Sequence, residues 1–169
     1  FKALKNDWLK INSVQLHNTS VQYAKTNMSW EERIGVLVSH PTHEEAQVFL
    51  NNVATPALSK VCQHFMAKGI VADLEYLDGR VRLVISNEVN LPFVYGVRTR
   101  CFDITNPIGT EIEQGNTLYY RAEVYLEQGG QHYDVMGYTE EQILADVVTQ
   151  YEKYLHYLHL SNADHAHIS

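Results

Sequence analysis

The sequence predicts an α+β domain: an antiparallel sheet of about five strands built from hairpins, with N-terminal helices and a long C-terminal helix packed on one face. Three observations predict it. Ser29, Thr42 and Thr139 are each followed three residues later by Glu32, Glu45 or Gln142, the capping-box pattern of a helix start. The stretches around Asp78-Gly79 and Gly129-Gly130 alternate with a period of two. The helical and strand stretches are segregated along the chain, which favours hairpins over parallel crossover units.

Residues 1–28 are polar with weak periodicity and read as a linker. Ser29 and Glu32 start a short helix to about Val38, and His40-Pro41 stops it, because the residue before proline disfavours the helical region. Thr42 and Glu45 start the next helix. Ala46, Phe49, Leu50, Val53, Ala57, Leu58, Val61 and Phe65 recur on one side of it, and Gly69 is placed as its C-terminal cap. Pro56 falls inside this helix and is expected to kink or split it.

Asp78-Gly79 predicts a two-residue type I′ turn. That register sets Tyr76 against Val81, Leu74 against Leu83 and Ala72 against Ile85, with Glu75 facing Arg82 on the other side. Phe93–Phe102 forms a third strand, carrying Arg98 and Arg100 on one side and Val97, Thr99 and Cys101 on the other. Asp103–Asn116 is a loop rich in Asn, Gly, Pro and Thr. Gly129-Gly130 predicts a second tight turn, with Leu126 against Tyr133, Val124 against Val135 and Ala122 against Gly137. Its outer face carries Arg121, Glu123, Tyr125, Glu127, His132 and Asp134, and a one-faced sheet would present these to water. A helix from about Glu140 to His159 follows, with Ile143, Leu144, Val147, Val148, Tyr151, Leu155 and Leu158 as its apolar stripe. The organisation expected is a linker over 1–28, the domain over 29–160 and a mobile polar tail over 161–169.

Composition excludes several function classes. A formal net charge of −7, with no basic stripe interleaved with aromatics, argues against nucleic-acid binding. No apolar run approaches the roughly 18 residues of a membrane span. Cys62 and Cys101 have no metal-ligand spacing and read as small core residues of a reduced, cytoplasmic chain. The chain starts at Phe1 rather than Met, so it is expected to be a piece of something longer.

The residues give no catalytic centre. Glu123, Glu127, His132 and Asp134 have the residue types of an acid–base site, yet on an exposed pleat they read as solvated cross-strand pairs. His40/His43 straddle a proline break, His156/His159 lack further ligands nearby, and His165 and His167 lie in the tail, so no metal site is expected. No cofactor motif occurs. The chain's 11 tyrosines raise the question of a cage for a quaternary ammonium group, against the alternative of ordinary half-buried packing. Taken alone, the residues point to a binding or regulatory module rather than an enzyme.

The segment "YYRAEVYLEQGGQHYDVMGYTEEQILADVVTQYEKYLHYLHL" resembles the end of the cytoplasmic C-terminal extension of BetT-type choline transporters, in the betaine/choline/carnitine transporter family. Its pattern is YRAEV-x-L-x-x-GGQ-x-YDVMG followed by a capped helix. "SWEERIGVLVSHPTHEEAQVFLNNVATPAL", "LEYLDGRVRLVI" and "FVYGVRTR" carry the same resemblance, which covers roughly residues 29–160.

The resemblance implies a parent that imports choline with an ion gradient for glycine betaine synthesis and osmoprotection. This piece would lie at the cytoplasmic face of the bacterial inner membrane and tune transport to osmotic conditions. The family's substrate and coupling-ion residues belong to membrane spans, and none maps onto this sequence. Implied partners are the transmembrane body of the same transporter, neighbouring subunits and the membrane surface, with oligomers in view. Arg82, Arg98, Arg100, Arg121, Glu123, Glu127 and His132 form the candidate docking surface. The competing reading is an independent, soluble, dimeric ligand-binding or chaperone-like module.

Overall fold

The computed structural model describes residues 28–103, 118–127 and 130–166, with 161–166 as helix backbone alone. The expected linker, most of the Asp103–Asn116 loop, Gly129, and the His165 and His167 side chains lie outside the described residues. The chain falls into two compact units, Phe1–Gly35 and Val36–Ser169. In the first, Ser29 Oγ accepts from Glu32 N at 3.1 Å and Glu32 Oε2 accepts from Ser29 N at 2.8 Å, forming the capping box that starts α1 (Trp30–Leu37).

In the second unit, Thr42 and Glu45 form the reciprocal box that starts α2 (His43–Phe49). Pro56 then acts as expected, with a particular solution. The helix widens into a π-helical turn at Leu50–Ala54, where Thr55 N donates to Leu50 O, before α3 (Thr55–Ala67) resumes with Pro56 in its first turn. A proline has no N–H and its ring crowds the carbonyl one turn back, so the extra residue makes room there. Beyond α3, Gly69 N donates to Met66 O and Ile70 N to Phe65 O, a Schellman termination.

The sheet is antiparallel throughout, in the order β1 (Ala72–Leu77), β2 (Arg80–Ile85), β3 (Phe93–Asp103), β4 (Leu118–Leu126), β5 (Tyr133–Asp134). The β1–β2 register is the expected one, from Ala72↔Ile85 to Leu77↔Arg80. The turn type is corrected. Type I′ needs positive φ at both central residues, whereas here only Gly79 (φ 67°) has it and Asp78 does not. The Gly79 carbonyl instead accepts from Thr99 N at 2.8 Å and so ties the turn to β3.

The second hairpin is corrected more deeply. Val124 pairs with Tyr133 rather than Val135, and Glu123 with Asp134. That register is not the one a two-residue turn at Gly129-Gly130 would set, and Gly129 itself lies outside the described residues. β5 stops after Asp134, and Pro41 O accepts from Tyr120 N at 2.8 Å where a longer β5 would have continued. A slip of two residues leaves every side chain on its predicted face, because the strand period is two.

Thr139 and Gln142 cap α4 (Glu140–Ala166) with the third box. The helix runs to Ala166, past the expected end at His159 and through most of the expected tail. One face of the sheet (Val81, Leu83, Ile85, Phe93, Tyr95, Val97, Ala122 and Val124) packs with α2, α3 and α4 into a single core. Burying each such Val, Leu, Ile or Phe contributes about 1.5–3 kcal/mol. Along α4, Ile143, Val147, Tyr154 and Leu158 are buried, while Val148 is exposed and leaves the expected stripe. Cys62 is in the core, but Cys101 is exposed, because burial along β3 ends at Val97 and its last residues emerge.

Candidate functional site

The second face of the sheet carries the charges, and the pairing register sets them in rows. Arg98 on β3 faces Glu123 on β4, which faces Asp134 on β5, and Arg100 faces Arg121. The two like-charged neighbours are resolved diagonally. Glu123 Oε1 accepts from Arg98 Nε at 3.0 Å, from Arg98 Nη2 at 2.7 Å and from Arg100 Nη1 at 3.2 Å. Arg121 Nε donates to Asp134 Oδ2 at 3.0 Å, and its Nη2 makes a second bond to the same oxygen. Asp134 Oδ1 accepts from Met136 N at 2.8 Å. On the β2 side, Arg82 bridges Glu75 and Glu127.

Two members of the expected docking surface are not on the surface. The side chains of Arg121 and Glu123 are only 7% and 9% exposed. Arg121 Nη1 also donates to Val36 O at 2.9 Å and to Ser39 O at 3.3 Å, so it holds the turn after α1 against β4. Glu123 lies under Arg98, Arg100 and His132, whose Nδ1 is 3.7 Å from it. A sheet face can bury charge when each group is paired in this way. Arg82, Arg98, Arg100, Glu127 and His132 remain open to solvent to differing degrees, Arg100 at 50% and Glu127 at 49%.

Tyr125 lies flat over Gly96, the residue directly opposite it. A Cβ at position 96 would stand 2.2 Å from Tyr125 Cζ, so only glycine fits there. Arg98 stacks on the same ring at 5.3 Å. The Tyr125 hydroxyl has no hydrogen-bond partner among the described residues.

A separate aromatic site lies on the helix side, at the edge where α4 meets β3 and the β4–β5 connection. Tyr95 OH donates to Asp146 Oδ2 at 2.6 Å, Tyr133 OH donates to the same oxygen, and Gln150 Nε2 donates to Tyr133 OH at 3.1 Å. Burial first, and then the Asp146 carboxylate, push the Tyr95 and Tyr133 hydroxyls far above the ordinary tyrosine range. Burial pushes Tyr151 up to about 12. Beside this network a cleft of about 450 Å³ is lined by Phe93, Leu126, Gly130, Gln131, Tyr133, Gln150, Lys153, Tyr154 and Tyr157. Sequence reasoning noted the tyrosines but did not find this cleft. Tyr133 approaches Tyr154 and Tyr157 only through the β4–β5 register, which the Gly-Gly pair misplaced.

The histidines do other work. His40 packs edge-on against Tyr119 at 5.2 Å and His43 against Tyr120 at 5.0 Å. Among the described residues no group of three or more His, Cys, Asp or Glu has the arrangement to hold a metal ion.

No family model matches the chain. Individual relatives do. It is 28% identical over 167 residues, 96% of its length, to a glycine betaine transporter of Acinetobacter baylyi. It is 27% identical over 140 residues, 79% of its length, to the high-affinity choline transport protein of Escherichia coli K12. It is 26% identical over 172 residues, 95% of its length, to an osmo-dependent choline transporter of Acinetobacter baylyi.

The chain is related to choline and glycine betaine transporters. It spans 25%, 20% and 24% of the length of these three transporter relatives. None of the described helices is long and apolar enough to cross a membrane. The part of the transporter relatives that this chain matches is therefore matched by an α+β fold of capped helices on a five-stranded sheet.

Proposed function

We propose that this chain is a non-catalytic regulatory domain of an ion-coupled choline transporter, held at the cytoplasmic face of the inner membrane. In this reading it adjusts uptake for glycine betaine synthesis to osmotic conditions. The observation that carries the reading is the similarity over 96% of the chain to only 25% of a transporter, together with the lack of any membrane-crossing helix among the described residues. One of the similar proteins is an osmo-dependent choline transporter, which supports the regulatory part.

A domain without reacting groups regulates by binding one conformation of its partner better than another. A differential contact of about 1–3 kcal/mol shifts a binding equilibrium 5–150-fold. The proposed contact is the open part of the charged face, namely Arg82, Arg98, Arg100, Glu127 and His132. It would meet the transmembrane body, a neighbouring subunit or the membrane surface. Arg121 and Glu123 support that face from beneath. Exposed charge pairs are screened over about 10 Å at 0.1 M salt, so rising internal ionic strength would weaken the contact and release a brake.

The test removes the segment corresponding to 29–169 from a full-length parent and follows choline uptake against external osmolarity. Uptake that persists with an altered osmotic profile supports regulation. An unchanged profile removes the regulatory claim, and loss of uptake despite normal insertion assigns a structural role.

A further inference from the structure

The β2–β3 register sets two arginines directly opposite each other on the charged face, Arg80 and Arg98. Like charges so placed repel, and a carboxylate offsets each of the other arginines in these rows. Arg82 has Glu75 and Glu127, Arg98 and Arg100 share Glu123, and Arg121 has Asp134. Arg80 is exposed, and among the described residues no carboxylate pairs with it.

The Tyr125 hydroxyl is a second group without a partner, on a residue only 9% exposed. A Cβ on Gly96 would stand 2.7 Å from that oxygen, so the hydroxyl lies over β3, with Arg98 two residues along and Arg82 opposite. Burial pushes it above the ordinary tyrosine range, while Arg80, Arg82 and Arg98 each pull it back. An arginine has donors and no acceptor, so the hydroxyl proton finds no acceptor among the three. A buried hydroxyl left in this way is uncommon in folded proteins and calls for a cause. An anion would serve Arg80 and the hydroxyl together. The Arg98 side chain is 34% exposed, so its outer end can swing aside to admit an oxygen.

A cleft of about 530 Å³ opens beside this pair at the β1–β2 turn, with Arg80, Arg98 and Asp78 in its lining. Asp78 makes no ion pair among the described residues, so the lining also holds a carboxylate acceptor. The anion that fits accepts from several directions and gives one hydrogen bond back. A carboxylate is planar and, like sulfate, has no proton to give at neutral pH. A lipid phosphodiester has no P–O–H, and a flat anionic membrane would also meet Glu75 and Glu127 on this face. Inorganic phosphate is tetrahedral, matches guanidinium geometry and keeps at least one P–O–H at neutral pH.

We propose that Arg80, Arg98, the Tyr125 hydroxyl and Asp78 form a binding site for inorganic phosphate. The two guanidiniums and the hydroxyl donate to its oxygens, and Asp78 accepts from the P–O–H that remains. The test needs no transporter, so its failure leaves the regulatory reading of the charged face where it stands.

The experiment titrates the 169-residue chain at constant ionic strength with inorganic phosphate, with sulfate, and with phosphatidylglycerol vesicles, read by calorimetry and by amide NMR shifts at Asp78–Arg80. Phosphate is expected to saturate the site and to bind roughly tenfold more tightly than sulfate, the scale of one charge-assisted hydrogen bond. Asp78→Asn should remove that preference by strengthening sulfate. Arg80→Gln should abolish saturable binding of both ions. Tyr125→Phe should weaken phosphate roughly tenfold with no loss of melting temperature, which separates a ligand contact from a role in folding. Asp78 and Arg80 are exposed, so their variants should fold, and an unchanged melting temperature checks it. The assignment is overturned if phosphate shows no saturable binding, if sulfate binds as tightly, if only the vesicles bind, or if Arg80→Gln or Tyr125→Phe keeps the parent's affinity.

Discussion

Arg98 places both Nε and Nη2 on a single oxygen of Glu123, Oε1, at 3.0 and 2.7 Å. Arg100 reaches the same carboxylate from the next same-face position on β3. Glu123 is therefore the hub of the charged face, and its partners are the residues proposed to meet another molecule. Removing the hub leaves two arginines converging on nothing. Glu123→Gln keeps the shape and loses the charge, and it should cost about 2–4 kcal/mol, near the lower end for breaking a buried pair because Arg98 and Arg100 are partly solvated. Glu127→Ala, at an exposed position, should stay within about 1 kcal/mol. Urea denaturation of the two variants checks the contrast, and equal effects would place Glu123 among ordinary surface pairs.

Arg121 joins three pieces of chain. Its guanidinium spans Asp134 on β5 and the carbonyls of Val36 and Ser39. A lysine has the charge but not the planar fork, so Arg121→Lys cannot serve these partners together. The expected loss is about 2 kcal/mol, the scale of hydrogen bonds to charged groups. Amide hydrogen exchange should show the loss concentrated at Tyr133–Met136 and at Val36–Ser39. Uniform deprotection across the sheet would instead mean a global effect.

Gly96 and Tyr125 should behave as one unit. Gly96→Ala drives a methyl into the ring 2.2 Å away and should cost about 1–3 kcal/mol as overpacking. In a Tyr125→Ala background the same change should cost much less, giving a coupling of about 1 kcal/mol or more in a double-mutant cycle. Tyr125→Phe should be neutral or slightly stabilising, because the hydroxyl it removes has no hydrogen-bond partner among the described residues. Additive effects of the two alanine substitutions would contradict the packing account.

Local chemistry made most of this fold legible. The three capping boxes, the proline in the long helix and the Leu74–Leu83 register depend on residues close in sequence, and each is found. The misreadings share a different cause. The Gly-Gly pair reads as the centre of the hairpin, but β4 spends its outer edge partly on Pro41, a residue far upstream, and no local pattern announces that. The burial of Arg121 and Glu123 was equally hidden, since an alternating strand shows which side a residue faces but not what folds over that side. The aromatic cleft needed both, a correct β4–β5 register and the placement of α4.

The tyrosine network also sets an alkaline limit on stability. Tyr151 titrates near 12 in the folded protein because it is buried, and burial with the Asp146 carboxylate raises Tyr95 and Tyr133 in the same direction. In the unfolded chain all three revert to about 10. Folding therefore favours the neutral hydroxyls, and this contribution is complete below about pH 10. Above that value the unfolded chain loses protons that the folded chain keeps, and each such tyrosine lowers stability by about 1.4 kcal/mol per pH unit until its folded-state value is reached. Urea unfolding between about pH 9 and 11 should thus show a constant stability giving way to a steep decline. Tyr133→Phe removes one titrating group, so its decline should be shallower by one tyrosine's slope, even though the variant starts lower for want of the Asp146 and Gln150 bonds. The part of the ultraviolet tyrosinate absorbance that belongs to Tyr95, Tyr133 and Tyr151 should appear only as the protein unfolds, so the folded protein falls short of the full signal of its 11 tyrosines. A stability that stays flat to pH 11, or a Tyr133→Phe variant that declines with the parent's slope, would show that these hydroxyls titrate as if exposed.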